Sequence, residues 1–168
     1  MKKFSAFILL LSVICLSGCV QKDLIDIYVF ADRFSHHSED FKINTDELTS
    51  TQESGELIFP ITFNNKYLVT VRVNEETSLL TSVSVVYMYE KKHSLSDKDF
   101  SAFIGLVDAS TKAFTNSENT DDVITALSLN KKDNVIKNVH SHFQKDFYKF
   151  SVVSNEVGIY FSAETERR

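Results

Sequence analysis

Residues 56–90 read ELIFPITF-NN-KYLVTVRVN-EETS-LLTSVSVVYMYE, three apolar alternations separated by two short polar stretches. In the first, Leu57, Phe59, Ile61 and Phe63 share one side. In the second, Tyr67, Val69, Val71 and Val73 oppose Thr70 and Arg72. In the third, Thr81, Val83, Val85, Tyr87 and Tyr89 oppose Ser82, Ser84, Val86 and Met88. A period of two marks a β-strand, because successive side chains leave opposite faces of the pleat. Asn64-Asn65 suits a hairpin turn, since Asn tolerates positive φ, and Glu75–Ser78 turns the chain again. The stretch predicts a three-stranded antiparallel meander with one apolar and one partly polar face. Pro60 has no N–H to give a ladder, which puts its strand at an edge or a bulge.

Working outward toward the C-terminus, Ser96-Asp97-Lys98-Asp99 has the form of a capping box with an acidic first turn. Phe100, Phe103, Ile104, Val107, Thr111 and Phe114 then follow one helical face to about Asn116. A second helix is expected over Thr120–Leu129. Residues 130–144 show no clear period. Tyr148, Phe150 and Val152, then Ser154-Asn155-Glu156, then Val157, Ile159 and Phe161 predict a closing hairpin. Toward the N-terminus, 45–55 (TDELTSTQESG) lacks apolar spacing and is expected to be an exposed loop, with a short strand at Phe41-Lys42-Ile43. Leu24, Ile27, Tyr28, Ala31 and Phe34 fall at helical spacing over Asp23–Ser35, with Asp23 as N-cap. The sum is a single α+β domain over 23–164, with a charged tail at 165–168. Its antiparallel sheet has about five strands, a meander of three plus the C-terminal hairpin, packed by about three helices.

The chain has 168 residues, 43% apolar and 24% charged, with a net charge of −5. That balance is globular and excludes disordered and fibrous classes. Four Gly and one Pro exclude low-complexity designs, and two Cys are too few for a disulfide scaffold. The acidic balance speaks against nucleic acid as a partner, since phosphate contacts need clustered Lys and Arg.

The N-terminus has a different character. Met1-Lys2-Lys3 is basic, and Phe4–Leu16 is a run of thirteen largely apolar residues. A bilayer core needs about 20 helical residues to cross, so the pattern is that of a secretory signal. It ends in Leu16-Ser17-Gly18-Cys19, which resembles the lipobox of bacterial lipoproteins. The resemblance implies a diacylglyceryl group on the Cys19 thiol and cleavage between Gly18 and Cys19. Residues 1–18 are then the signal peptide and 19–22 a short lipidated tether. Two acyl chains hold a protein at a membrane where one holds it only marginally. Cys15 leaves with the signal, so the mature chain has no second thiol to pair with Cys19. Sixteen Lys and Arg remain against twenty-three Asp and Glu, a net charge of −7. Such a domain is repelled by anionic headgroups. Asp after the lipidated Cys resembles an inner-membrane retention signal; Val20 stands there instead. That implies the outer membrane in a two-membrane host and the outer, extracytoplasmic leaflet of the cell membrane in a host with one.

For chemistry, His140-Ser141-His142 places two imidazoles on one face of an extended chain, and His36-His37 or His93 are the further ligands a zinc or copper site would need. The acidic pairs Glu75-Glu76, Asp97/Asp99 and Asp121-Asp122 fall at turns and helix starts, where capping accounts for them. No Gly-x-Ser-x-Gly elbow, phosphate loop or free mature Cys is present, so no catalytic residue or cofactor is assigned. The chain is rich in Phe and Tyr, and strand tyrosines serve cross-strand packing. Tyr160 is the exception, because alternation points it away from Val157, Ile159 and Phe161. It is the candidate for a partner surface. The sequence therefore leads to a membrane-tethered, non-catalytic module that binds another protein or a small ligand, with a zinc- or copper-binding His cluster as the alternative.

Overall fold

The computed structural model describes residues 25–91, 94–137 and 139–166. The expected signal peptide (1–18), Cys19, Asp23 and His93 lie outside them. Strands β1 (Thr51–Glu53), β2 (Glu56–Phe63), β3 (Tyr67–Asn74), β4 (Leu80–Met88), β5 (His140–Lys145), β6 (Tyr148–Ser154) and β7 (Gly158–Thr165) form one antiparallel sheet in the order β1-β2-β3-β4-β7-β6-β5. Two meanders are thus joined along β4 and β7. Helices α1 (Ile27–His37), α2 (Asp97–Thr115), α3 (Asp121–Ala126) and α4 (Lys132–Val135) complete the described residues, with a 3-10 turn at Thr45–Glu47. The α+β class is as expected. The sheet has seven strands where about five were expected, and the helices number four against about three.

The two extra strands were hidden for physical reasons. β1 is exposed at all three residues, so it carries no apolar alternation. It exists because Ser54 and Gly55, both at positive φ, make the tight turn that folds Thr51–Glu53 onto Glu56–Ile58. β5 is an edge strand whose Phe143 packs on the core, while His140, His142 and Gln144 are exposed. The strand expected at Phe41-Lys42-Ile43 does not form. Its backbone donors go to side chains instead: Phe41 N–H to Ser38 Oγ (3.0 Å) and Ile43 N–H to Ser35 Oγ (3.0 Å). Lys42 Nζ donates to the Ser35 and Ser38 carbonyls, closing the C-terminal end of α1.

Helix α1 is capped by Asp26, whose Oδ1 accepts from Val29 N–H at 2.8 Å. Ser96 caps α2 as the sequence predicts, although the Asp99 carboxylate accepts from the Ser96 hydroxyl and not from the Ser96 N–H. The helix ends at Asn116 in the left-handed region. The helix expected over Thr120–Leu129 is shorter, because Ser128 turns to positive φ and lets Leu127 and Leu129 enter the core outside a helix. A bulge at Arg72/Val73 pairs Val73 with Leu80, so Leu80 takes the core place that strict alternation gives Thr81. The Pro60 strand is an edge at Pro60 itself, since the β1 ladder stops at Ile58. β7 runs to Thr165, and Glu166 N–H bonds the Phe147 carbonyl at 2.7 Å, so the tail is held further than expected.

All helices with a sizeable buried stripe lie on one face of the sheet. Phe30 and Phe34 of α1 and Phe103, Leu106 and Val107 of α2 are buried with Val69, Val71, Val83, Val85 and Phe161. A line of ring contacts joins Phe34, Phe63, Phe41, Tyr67, Tyr87 and Tyr89, with centroids 5.1 to 5.9 Å apart. This fixes the direction of α1: its last turn sits beside the Asn64-Asn65 turn and its first turn at the opposite end, where Leu80 N–H bonds the Ile25 carbonyl at 2.9 Å.

Candidate functional site

The other face of the sheet is not covered by the described residues. Register places Thr62, Leu68, Val86, Tyr160, Val153 and His140 in one row across six strands. Pro60, Thr70, Ser84, Ser162, Ser151 and His142 form the next. Every one of these residues is half-buried or exposed, whereas their strand neighbours facing the helices in β3, β4 and β7 are buried. The first row, nearest the Asn64 end, is largely apolar. The second is small and hydroxylated, with Ser151 and Ser162 Oγ atoms 2.8 Å apart. At the Ile25 end a third row turns charged. Arg72 lies 3.3 Å from Glu56, Thr81 Oγ1 donates to Glu56 at 3.0 Å, and Lys149 lies 3.4 Å from Glu166. Met88 and Val157, 60% and 54% exposed, adjoin the apolar row, and Tyr89 N–H bonds the Val157 carbonyl at 2.9 Å.

Tyr160 therefore lies on the open face, opposite Val86 and Val153. Tyr67, Tyr87, Tyr89 and Tyr148 pack against other rings. The sequence reading missed the companions of Tyr160. Their signal was available: Leu68, Val86 and Val153 are apolar residues on the polar side of an alternation.

The four described histidines do not converge. His140 and His142 share one face, as expected for extended chain, but it is the open face, opposite Val153 and Ser151. His36 and His37 end α1, on the covered side, with ring centroids 5.3 Å apart. The sheet lies between the two pairs. Among the described residues no three His, Cys, Asp or Glu are placed to hold a metal ion.

The covered side has one large groove, between the α1–β1 connection and the start of α2, of about 1000 Å³. His37, Asp40, Lys66, Tyr67, Asp99 and Asp108 line it. Asp99 is its best-engaged charge. Ser96 Oγ donates to Asp99 Oδ2 at 2.7 Å, Tyr67 OH donates to Oδ1 at 2.9 Å, and Lys66 Nζ lies 3.6 Å away. The Ser96 bond, with those of Tyr67 and Lys66, holds the Asp99 carboxyl below the usual carboxylate range against the pull of burial. Burial, with the nearby Asp99 charge, pushes the Tyr67 and Tyr87 hydroxyls up, so both stay neutral. An ionised carboxylate fixed by donors is a weak base, and raised phenols are weak acids. The cluster ties α2 to β3; nothing in it is tuned toward proton transfer near neutral pH.

No protein-family model, no curated protein sequence and no solved structure matches the chain.

Proposed function

We propose that this chain is a bacterial cell-envelope lipoprotein, anchored through a diacylglyceryl group on Cys19. Its domain is a non-catalytic interaction module that offers the open sheet face to a protein partner. Leu16-Ser17-Gly18-Cys19, behind a basic and then apolar N-terminus, carries the anchoring. The row Leu68-Val86-Tyr160-Val153 carries the binding. Small ligands are held in concave sites that enclose most of their surface. The open face has a hollow of about 560 Å³, open to solvent and confined to its charged border at Glu56, Arg72, Ser82, Lys149 and Glu164. Its apolar row, hydroxyl row and charged border together have the composition of a protein interface: an apolar centre with an aromatic, and a polar rim. Val20 favours the outer membrane where the host has two.

One experiment in the native host addresses both parts. A photo-crosslinking residue is placed at Tyr160 and, as control, at Lys112 on the helical side, each with Cys19 and with Cys19→Ser. Labelled palmitate is supplied throughout. The expected result is label and signal cleavage only with Cys19, and a discrete adduct only from position 160. A Cys19→Ser chain that still matures and stays in the membrane overturns the anchor. Adducts equal at 160 and 112, or absent from both, overturn the binding face.

A further inference from the structure

The large exposed apolar side chains among the described residues fall in two pairs at opposite ends of the molecule. Met88 and Val157 adjoin the open face near Asn64. Tyr28 and Val29, 63% and 38% exposed, stand on the first turn of α1. That turn follows Ile25, which is 6% exposed and whose carbonyl accepts from Leu80 N–H. Ile25 is therefore pinned to the sheet.

Six residue steps separate Ile25 from Cys19. A fully extended chain spans at most about 3.6 Å per residue, so the Ile25 end stays within about 20 Å of the acylated thiol. A strand of eight or nine residues is itself about 30 Å long. The tether is shorter than the domain. It cannot bring the Asn64 end to the bilayer, and the end that must face the lipid is the one carrying Tyr28 and Val29.

The pattern of α1 singles out these two positions. Ile27, Phe30, Ala31 and Phe34 form its buried stripe. Outward-facing Asp32 and His36, one and two turns further on, are polar. Only the first turn is apolar outside, and it is the turn nearest the anchor. Tyr is at home at headgroup depth, with its ring in the apolar layer and its hydroxyl in water.

We propose that the first turn of α1 seats the domain on the bilayer holding its anchor, with Tyr28 and Val29 in the interfacial layer. This rests on the acylation of Cys19 proposed above. Asp26, Asp32 and the exposed Glu75 and Glu76 at the same end repel anionic headgroups. Contact is therefore with the glycerol and upper acyl region and does not need anionic lipid. Two side chains add little to a two-chain anchor; what they fix is orientation. The open face then stands upright from the membrane, with its charged row near the lipid and its apolar row away from it.

The chain has no Trp, so Tyr28→Trp creates a single, selectively excitable Trp at an exposed site. The acylated mature protein is reconstituted in phosphatidylcholine vesicles, with and without brominated acyl chains, beside Tyr160→Trp. The expected result is a blue-shifted position-28 emission, quenched at least two-fold more by brominated lipid than that of position 160. Added anionic lipid should not increase the quenching. A protein that floats with the vesicles while position 28 emits as in water overturns the seating alone. A protein that lacks acyl mass and does not float overturns the anchor, and the seating with it.

Discussion

At Gly158 the sheet has no room for a side chain. A Cβ built there would lie 2.2 Å from the Tyr87 carbonyl oxygen and 3.2 Å from Met88 Cα. The positive-φ glycine among the described residues is Gly55, not Gly158. The demand at 158 is thus close approach of β7 to β4, not a special backbone angle. Because the obstructing atom is backbone, no rotamer change relieves it. Gly158→Ala should cost about 1–3 kcal/mol, the range for overpacking, read as a fall in the urea midpoint. Gly105, inside α2, is the opposite case, with nothing within 4 Å of its Cβ position. Gly105→Ala should raise stability by about 1 kcal/mol through helix propensity alone. Equal effects at the two sites would mean that β4 and β7 do not approach as closely as described.

Among the elements, α2 has the most demanding start, because its cap also links to the sheet. Ser96 Oγ accepts from Asp99 N–H at 3.0 Å and donates to the Asp99 carboxylate, which in turn accepts from Tyr67 of β3. The Asp99 carboxyl is held below its usual value. Its contribution is therefore fully present above the unfolded carboxylate range, about pH 4, and is lost as pH falls through the lower folded value. Ser96→Ala should cost about 0.5–2 kcal/mol at pH 6. Asp99→Asn should show its full deficit at pH 6, and the deficit should shrink as pH falls below about 4, where the unfolded wild type begins to protonate while the folded carboxyl resists. A deficit that grows toward pH 3 would contradict the assignment. Ser96 and Asp99 were legible in the sequence as a capping box; the bond to Tyr67 was not, since it joins residues 32 apart. The same division runs through the fold. The β2–β4 meander, α2 and the last hairpin announce themselves by period, because each packs one whole face on the core. β1 and β5 bury almost nothing, and 41–43 spends its backbone donors on Ser35 and Ser38. Such segments leave no apolar pattern to read. Of the open face, alternation found Tyr160 but passed over Leu68, Val86 and Val153, since a lone aliphatic residue on a polar face looks like ordinary strand composition.

At the scale of the molecule, everything depends on one non-local seam. β4 ends the first meander, and β7 is the last strand of the second; about seventy residues and three helices intervene between them. Without that pairing the sheet would be two small meanders of four and three strands, and α2 would lack part of its floor. Phe161 sits at the seam, 1% exposed, between Val85 of β4 and Val152 of β6. It belongs to the same buried cluster as Phe30 and Phe34 of α1 and Phe103 of α2. Truncating it opens a cavity between both meanders and the helical layer. Phe161→Ala should cost about 3–5 kcal/mol, a large share of the about 5–15 kcal/mol that holds an ordinary domain together. If the two meanders form one cooperative unit, the loss appears equally on both sides of the seam. Amide exchange of Val69 and Val71 in β3 should accelerate by the same factor as that of Val152 in β6. Acceleration confined to β5–β7, with β3 still protected, would mean that the C-terminal meander opens by itself. The chain would then be two coupled units, and the open face that crosses both would exist only while the seam is closed.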